Sequence, residues 1–243
     1  MDKKITVIGI GRLGLGLALL IEKAGYNVCG VDIFPHYIKL LNEKKYKTFE
    51  PKYEQLLMNS KNFIATISLE EGINYSDIIF IVVPTPNGGG DKFYDHSILS
   101  NLLEKINTYK IKNKDIIIGC TIMPGYIRDI GELLIRDCEN TTLNYNPEFI
   151  AQGDIIKGFM NPDIILIGTK SNILSENLIK LYNKIVLTKP KYCILSPIDA
   201  EIVKISINGF ITTKISFANM ISDACDKRDI DIPKNRLRQK LIA

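Results

Sequence analysis

The chain has 243 residues, 46% of them hydrophobic, and a formal net charge of +4 from 31 Lys and Arg against 27 Asp and Glu. That is enough apolar material to bury a core in one large or two modest domains, and too little charge bias for a disordered chain. No basic block is interleaved with aromatic residues, so nucleic acid is not an expected partner, and no apolar stretch approaches membrane-spanning length, so neither is a membrane.

Residues 5–8 form a short apolar strand pattern that runs into Gly9-Ile10-Gly11-Arg12-Leu13-Gly14, a G-x-G-x-x-G loop, and then into an apolar helix pattern. In such a loop the first glycine permits the tight turn, the second lets backbone approach a pyrophosphate, and the third lets helix pack closely on strand. The N–H groups of the helix start then face the phosphates. Ala24-Gly25-Tyr26-Asn27 closes the helix, and the apolar run 28–31 ends at Asp32, 18 residues beyond Gly14. A carboxylate at the tip of a second strand accepts hydrogen bonds from ribose hydroxyls and repels a 2′-phosphate, so NAD is expected rather than NADP. The bland alternative is a glycine-rich strand-to-helix turn of some other α/β protein.

Helix patterns at 35–41 and 53–58 follow, then a short strand at 63–66 and an apolar strand at 76–83 that ends at Pro84-Thr85-Pro86. Beyond the Gly88-Gly89-Gly90 loop come a helix at about 98–109, a strand at 115–120 that delivers Thr121, and a helix at 126–136. Residues 143–145 lead into Asn146-Pro147-Glu148-Phe149, and a strand at 164–168, a helix at 175–184 and a strand at 192–195 close the first domain. This alternation predicts an α/β fold, a doubly wound and mainly parallel Rossmann sheet, followed by a long central α-helix at 198–226. The expected domains are 1–196 and 197–243, with the break at Ser196-Pro197.

In open parallel sheets ligands gather outside the carboxyl ends of the strands. Pro84, Thr85, Thr121 and Glu148 are therefore expected around the nicotinamide half of the cofactor, although each alone reads equally well as a turn or cap residue. The apolar residues of the long helix surround most of its circumference, which predicts burial on several sides. Lys204 and Asn208 share one face of it. A buried lysine is costly unless paired. Either it forms a salt bridge with Glu201 or Glu148, or it stabilises a developing alkoxide or assists proton removal, with Asn208 orienting the same oxygen or a water.

Residues 13–21 follow a strand rather than a charged leader, so no secretory signal is expected. Five cysteines, at 29, 120, 138, 193 and 225, form no C-x-x-C and are odd in number. A reducing, cytoplasmic setting and no metal site are the expectation.

These motifs resemble those of the UDP-glucose/GDP-mannose dehydrogenase family, the nucleotide-sugar 6-dehydrogenases. The family's glycine loop is matched by residues 9–15, its V-P-T-P by residues 83–86, and its S-T-V-x-P-G by Cys120-Thr121-Ile122-Met123-Pro124-Gly125. Its N-P-E-F is matched by residues 146–149, and its A-E-x-x-K-x-x-x-N by Ala200, Glu201, Lys204 and Asn208. The resemblance implies oxidation of a sugar C6 alcohol to an acid by two hydride transfers to NAD, through a cysteine thioester, on a nucleotide sugar such as a UDP-sugar, in polysaccharide biosynthesis. It implies that Lys204 and Asn208 stabilise oxyanions and that Thr121 and Glu148 position water and handle protons. The main chain after the motif, at Phe149 and Ile150, would contact the sugar or its diphosphate, and the 198–226 helix would form a homodimer contact.

The departures are equally specific. The family's catalytic cysteine lies beyond the central helix, so the chain is expected to be truncated before it and before the C-terminal nucleotide domain. Gln152 stands where many members carry glutamate, which puts thioester hydrolysis in doubt more than the first hydride transfer. Residues 233–243 leave the family pattern and read as a frayed basic end. Two other readings stay open: a single-step enzyme like the β-hydroxyacid dehydrogenases, and a non-catalytic, dimerising NAD-binding module.

Overall fold

A computed structural model describes residues 3–89, 93–150 and 153–227; Gln152 and residues 233–243 lie outside the described residues. The chain divides into two compact units between Glu201 and Ile202.

The first unit is built on an eight-stranded sheet of order β3-β2-β1-β4-β5-β6-β7-β8. Its strands are β1 (Lys4–Ile8), β2 (Asn27–Val31), β3 (Phe63–Thr66), β4 (Ile78–Ile81), β5 (Asp115–Ile118), β6 (Thr142–Tyr145), β7 (Ile164–Gly168) and β8 (Lys191–Leu195). The chain moves outward from β1 through β2 to β3, then crosses back to lay β4 on the other flank of β1, with Ile8 opposite Ile81. That reversal opens a crevice at the carboxyl ends of β1 and β4, where open α/β sheets bind their ligands. All pairs are parallel except β6 with β7, which meet antiparallel through Tyr145 and Gly168. β4 is buried along its whole length and β5 from its second residue, as their uninterrupted apolar sequences require of strands covered on both faces.

Helices α1 (Arg12–Lys23), α2 (Pro35–Asn42), α3 (Tyr53–Asn59), α4 (Leu69–Tyr75) and α5 (Ser97–Thr108) follow in order. α1 buries Leu15, Leu17, Leu19, Leu20 and Ile21 against the core, each worth about 1.5–3 kcal/mol. It ends where Gly25 takes φ +95° and its N–H reaches the Glu22 carbonyl at 2.9 Å. After β5 the chain makes a π-helical stretch, Ile127–Gly131, that runs into a single α-turn, α6 (Glu132–Leu134). α7 (Ile155–Met160) and α8 (Asn172–Ile185) complete the layers, and α9 (Pro197–Asp226) begins inside this unit. The first turn of α9 approaches β7 closely: a Cβ at Gly168 would lie 2.7 Å from that of Ala200.

Several elements differ from the sequence expectation. The strands expected at 76–83 and 115–120 are regular only over Ile78–Ile81 and Asp115–Ile118, with single flanking bonds from the Val82 and Gly119 N–H. Their ends turn into the loops that bear Thr85 and Thr121. The helix expected at 126–136 starts with the π-helical stretch and continues as α6, and Gly131 lies close to the Leu143 side chain of β6, where a Cβ would stand 2.7 Å from Leu143 Cδ1. α4 and α7 were not anticipated, being only seven and six residues long. Both carry side-chain caps, Ser68 on the Glu71 N–H and Asp154 on the Lys157 N–H.

The second unit contains the remainder of α9. Burial on several sides is not met within the chain: Ile202, Phe210, Ile211, Ile215, Phe217 and Met220 are exposed. Lys204 and Ala218 are its buried members among the described residues.

Candidate cofactor and active site

The glycine loop joins β1 to α1 at the reversal of strand order. Gly9 has φ +85°, and a Cβ there would lie 2.6 Å from the Val82 carbonyl oxygen. At Gly14 a Cβ would stand 2.0 Å from the Gly9 carbonyl oxygen, so the turn closes only without side chains. Gly11 is different, since a Cβ there meets nothing within 4 Å. The first intrahelical bond runs from Leu15 N–H to the Gly11 carbonyl at 2.9 Å. The amides of Gly11, Arg12, Leu13 and Gly14 therefore have no partner within the helix. Four donors, a positive helix end and clear volume beside Gly11 fit a dinucleotide diphosphate. Leu13 is partly exposed and Ile10 buried.

Asp32 stands directly after β2, half-buried, with its Oδ1 accepting the Ile33 N–H at 2.8 Å. Burial pushes its carboxyl above the usual aspartate range, against the opposing effect of the Ile33 and Phe34 amides. On the other flank of β1, two strands from β2, Pro84 and Thr85 follow β4.

The Thr121 loop follows β5, neighbour of β4, and is fastened through its amides. Gly125 and Ile127 N–H donate to the two oxygens of Glu201 at 2.5 and 3.0 Å. Met123 N–H donates to His96 Nε2 at 3.3 Å, and Ile122 N–H makes a long bond of 3.5 Å to the Tyr145 hydroxyl. Burial raises the Glu201 carboxyl despite its two amide partners, and lowers His96, whose ring lies 4.6 Å from that of Tyr126. Cys120 is buried beside Thr121 and its thiol is pushed up to about 12, chiefly by burial, so it stays protonated at neutral pH.

Glu148 follows β6, the next strand. The turn that carries it is set by Asn146, whose amide donates to the Leu166 carbonyl at 2.8 Å while its oxygen accepts the Tyr182 hydroxyl at 2.5 Å. The Glu148 carboxylate raises the Cys120 thiol and the Tyr53 phenol. It is thus within electrostatic reach of Cys120, next to Thr121, and of Tyr53, whose hydroxyl bonds the Arg12 carbonyl. Phe149 and Ile150 are half-buried, and Ile150 lies against Gly158, where a Cβ would approach to 2.7 Å. On α9, Lys204 is buried and Asn208, one turn on, is half-buried.

Sequence reasoning did not find His96, Tyr37, Glu50 or Tyr53. Tyr37 and Tyr53 donate to the Ile10 and Arg12 carbonyls, and Glu50 pairs with the Arg12 guanidinium. No motif marks them.

Residues 3–186 match the NAD binding domain of the UDP-glucose/GDP-mannose dehydrogenase family, and residues 198–236 match its central domain. A UDP-glucose 6-dehydrogenase of Rickettsia prowazekii is 29% identical over 229 residues, which cover 92% of this chain and 52% of that protein. One from Bacillus subtilis is 31% identical over 239 residues, covering 94% and 52%. Among solved structures, a ternary complex of GDP-mannose dehydrogenase from Pseudomonas aeruginosa shares the fold at TM-score 0.84 and 24% identity, over 93% of this chain and 54% of that one. The chain spans about half the length of the curated relatives it matches.

Proposed function

The chain belongs to the UDP-glucose/GDP-mannose dehydrogenase family, and from that premise we propose that it serves the oxidation of a nucleotide sugar, a UDP-sugar first among them, at its C6 alcohol. Its cofactor is NAD. The observation that carries the reading is the glycine loop, whose helix-start amides lack partners in the helix, with open space beside Gly11 and Asp32 on the next strand.

In this reading the amides of residues 11–14 hold the diphosphate and the Asp32 carboxylate accepts the adenosine ribose hydroxyls. Bound NAD supplies one thing, an acceptor for the hydride of the carbinol carbon. Pro84 and Thr85 wall the nicotinamide side. The Lys204 ammonium and the Asn208 amide donate to the C6 oxygen as negative charge develops on it. Thr121 and Glu148 hold the water that takes the hydroxyl proton. Main-chain groups of Phe149 and Ile150 bind the sugar or its diphosphate. Cys29 and Cys120 are buried thiols raised to about 11 and 12, so neither supports the nucleophile that a thioester step would need.

The exposed Phe210, Ile211, Ile215, Phe217 and Met220 favour a homodimer through α9. They also support the second reading, a dimerising NAD-binding module without turnover. Among the described residues no helix is long and apolar enough to cross a membrane, and we place the protein's work in the cytoplasm, in polysaccharide biosynthesis. Calorimetric titration with NAD, then with UDP-glucose while NADH absorbance is followed, tests the assignment. Saturable NAD binding with NADH formation supports the dehydrogenase, NAD binding alone supports the module, and no NAD binding refutes both.

A further inference from the structure

We propose that Tyr37 and Tyr53 are positioning residues for the diphosphate cradle: their hydroxyls hold two carbonyls of the glycine loop so that the amides of Gly11 and Leu13 face the cofactor. The inference deepens the NAD reading and rests on it.

Two helices converge on one short loop. Tyr37, on α2, donates its hydroxyl hydrogen to the Ile10 carbonyl at 2.7 Å, and Tyr53, at the start of α3, donates to the Arg12 carbonyl at 2.6 Å. Between them in sequence, Glu50 holds the Arg12 guanidinium, with Nε 3.1 Å from Oε1. The segment that joins β2 to β3 thus grips two residues of the loop, Ile10 and Arg12, by two carbonyls and one side chain.

The consequence follows from peptide geometry. In a planar trans peptide the C=O and the following N–H point in opposite directions. Fixing the Ile10 oxygen toward α2 turns the Gly11 N–H away from it, and at the Arg12 oxygen the Tyr53 hydroxyl reinforces the orientation that the first turn of α1 gives the Leu13 N–H. Both amides belong to the set left without helical partners. A hydroxyl on these carbonyls, rather than any acceptor on the amides, leaves the donors available to phosphate oxygens. Preorganised donors bind more tightly because less ordering remains to be done on association.

Gly16 shows that room is made for this contact. A Cβ there would lie 2.4 Å from the Tyr53 hydroxyl oxygen and 3.1 Å from its Cζ, so any side chain would displace the phenol. Tyr53 itself is 2% exposed, and its neighbours include the Glu50 and Glu148 carboxylates, which raise its phenol further above a range already shifted by burial. The hydroxyl therefore remains a donor across the working pH range.

The test uses the full chain and the variants Tyr37→Phe, Tyr53→Phe and the double variant, each retaining the ring. Affinities for NAD, ADP-ribose and adenosine are measured by calorimetry or by competition, beside the melting temperature. The expected result is that each single variant binds NAD and ADP-ribose about three- to tenfold more weakly, the size of one lost hydrogen bond, while adenosine binding is unchanged. The double variant loses more than either. Gly16→Ala, which displaces the Tyr53 hydroxyl by contact, reproduces the Tyr53→Phe loss. Unchanged NAD affinity in both single variants overturns the proposal, and so does an equal loss for adenosine, which would mark a merely structural role. A wild-type chain that binds neither NAD nor ADP-ribose would instead refute the NAD reading itself.

Discussion

The loop after β1 and the loop after β5 are both irregular, both leave the carboxyl end of a buried parallel strand, and both are fixed by partners distant in sequence. They are fixed in opposite senses. Beyond the bonds from the Gly9 and Ile10 N–H to the Val31 carbonyl, the glycine loop is held through its carbonyls, by Tyr37 and Tyr53, which leaves the amides of residues 11–14 without a partner in the helix. The Thr121 loop is held through its amides, by Glu201, His96 and Tyr145, which spends its donors internally. What each loop can offer a ligand follows from which half of the peptide is already occupied. In the proposed function the first loop offers backbone donors to a diphosphate, and the second contributes the side chain of Thr121.

The largest effect that would break this contrast is expected at Glu201. Glu201→Ala strands the Gly125 and Ile127 amides in a buried setting, at a cost of about 2–4 kcal/mol in unfolding free energy. Denaturant unfolding measures it, and because the glycine loop has its own fastenings, NAD affinity measured on the folded variant should stay near that of the parent. A parallel collapse of NAD binding would show that the two loops form one unit.

Gly14→Ala is the converse experiment. Its Cβ would lie 2.0 Å from the Gly9 carbonyl oxygen, and the strain of overpacking, about 1–3 kcal/mol, falls on the cradle itself. NAD binding by calorimetry should weaken on the order of tenfold to 100-fold. Amide exchange at Met123 should not change.

Asp32→Ala removes the proposed ribose acceptor and should weaken NAD binding by about 1–3 kcal/mol. The parent carries a pH signature that the variant lacks. Burial raises the Asp32 carboxyl, so the free protein takes up a proton there at higher pH than an ordinary aspartate would. NAD affinity of the parent should therefore fall as the pH is lowered through that raised value, while Asp32→Ala shows no such decline. On stability the sign is opposite: the raised value favours the protonated folded state, so Asp32 contributes most below the unfolded value of 3.8 and loses that contribution as pH rises through the folded one.

The smallest effect concerns His96. Its ordinary value of 6.5 is lowered by burial, and its neutral Nε2 accepts the Met123 amide. That contribution is complete above pH 6.5 and is lost as pH falls through the depressed folded value. The protection factor at Met123, its exchange measured against the intrinsic rate at each pH, should fall over that descent, while the amides of residues 15–20 in α1 keep theirs. Equal loosening of both regions would erase the distinction.

Much of the fold was legible because the relevant forces are local. Apolar runs alternating with helix patterns placed β1, β2, β4, β5 and β7 and the long helix within a few residues. The misses have local reasons too. α4 is short, yet Ser68 followed three residues later by Glu71 is a recognisable helix start. The π-helical stretch was invisible, since an apolar periodicity near 3.6 does not register one extra residue per turn. In the candidate site, the glycines and Asp32 announced themselves by spacing. Tyr37, Glu50 and Tyr53 did not, because their contacts with the loop span 27, 38 and 41 residues. Glu201 stood out as part of a motif, but its partners lie 74 and 76 residues away.

The sequence by itself determined the alternating α/β plan, a glycine-bearing turn between the first strand and its helix, and a carboxylate at the tip of the second strand. Those are consequences of neighbouring residues, where backbone sterics and apolar period act over a few positions. Tertiary structure alone decided which peptide groups of the two loops are occupied and which are free. That choice depends on hydroxyls, carboxylates and an imidazole brought in from other elements, and a chain does not encode such partners in any short window.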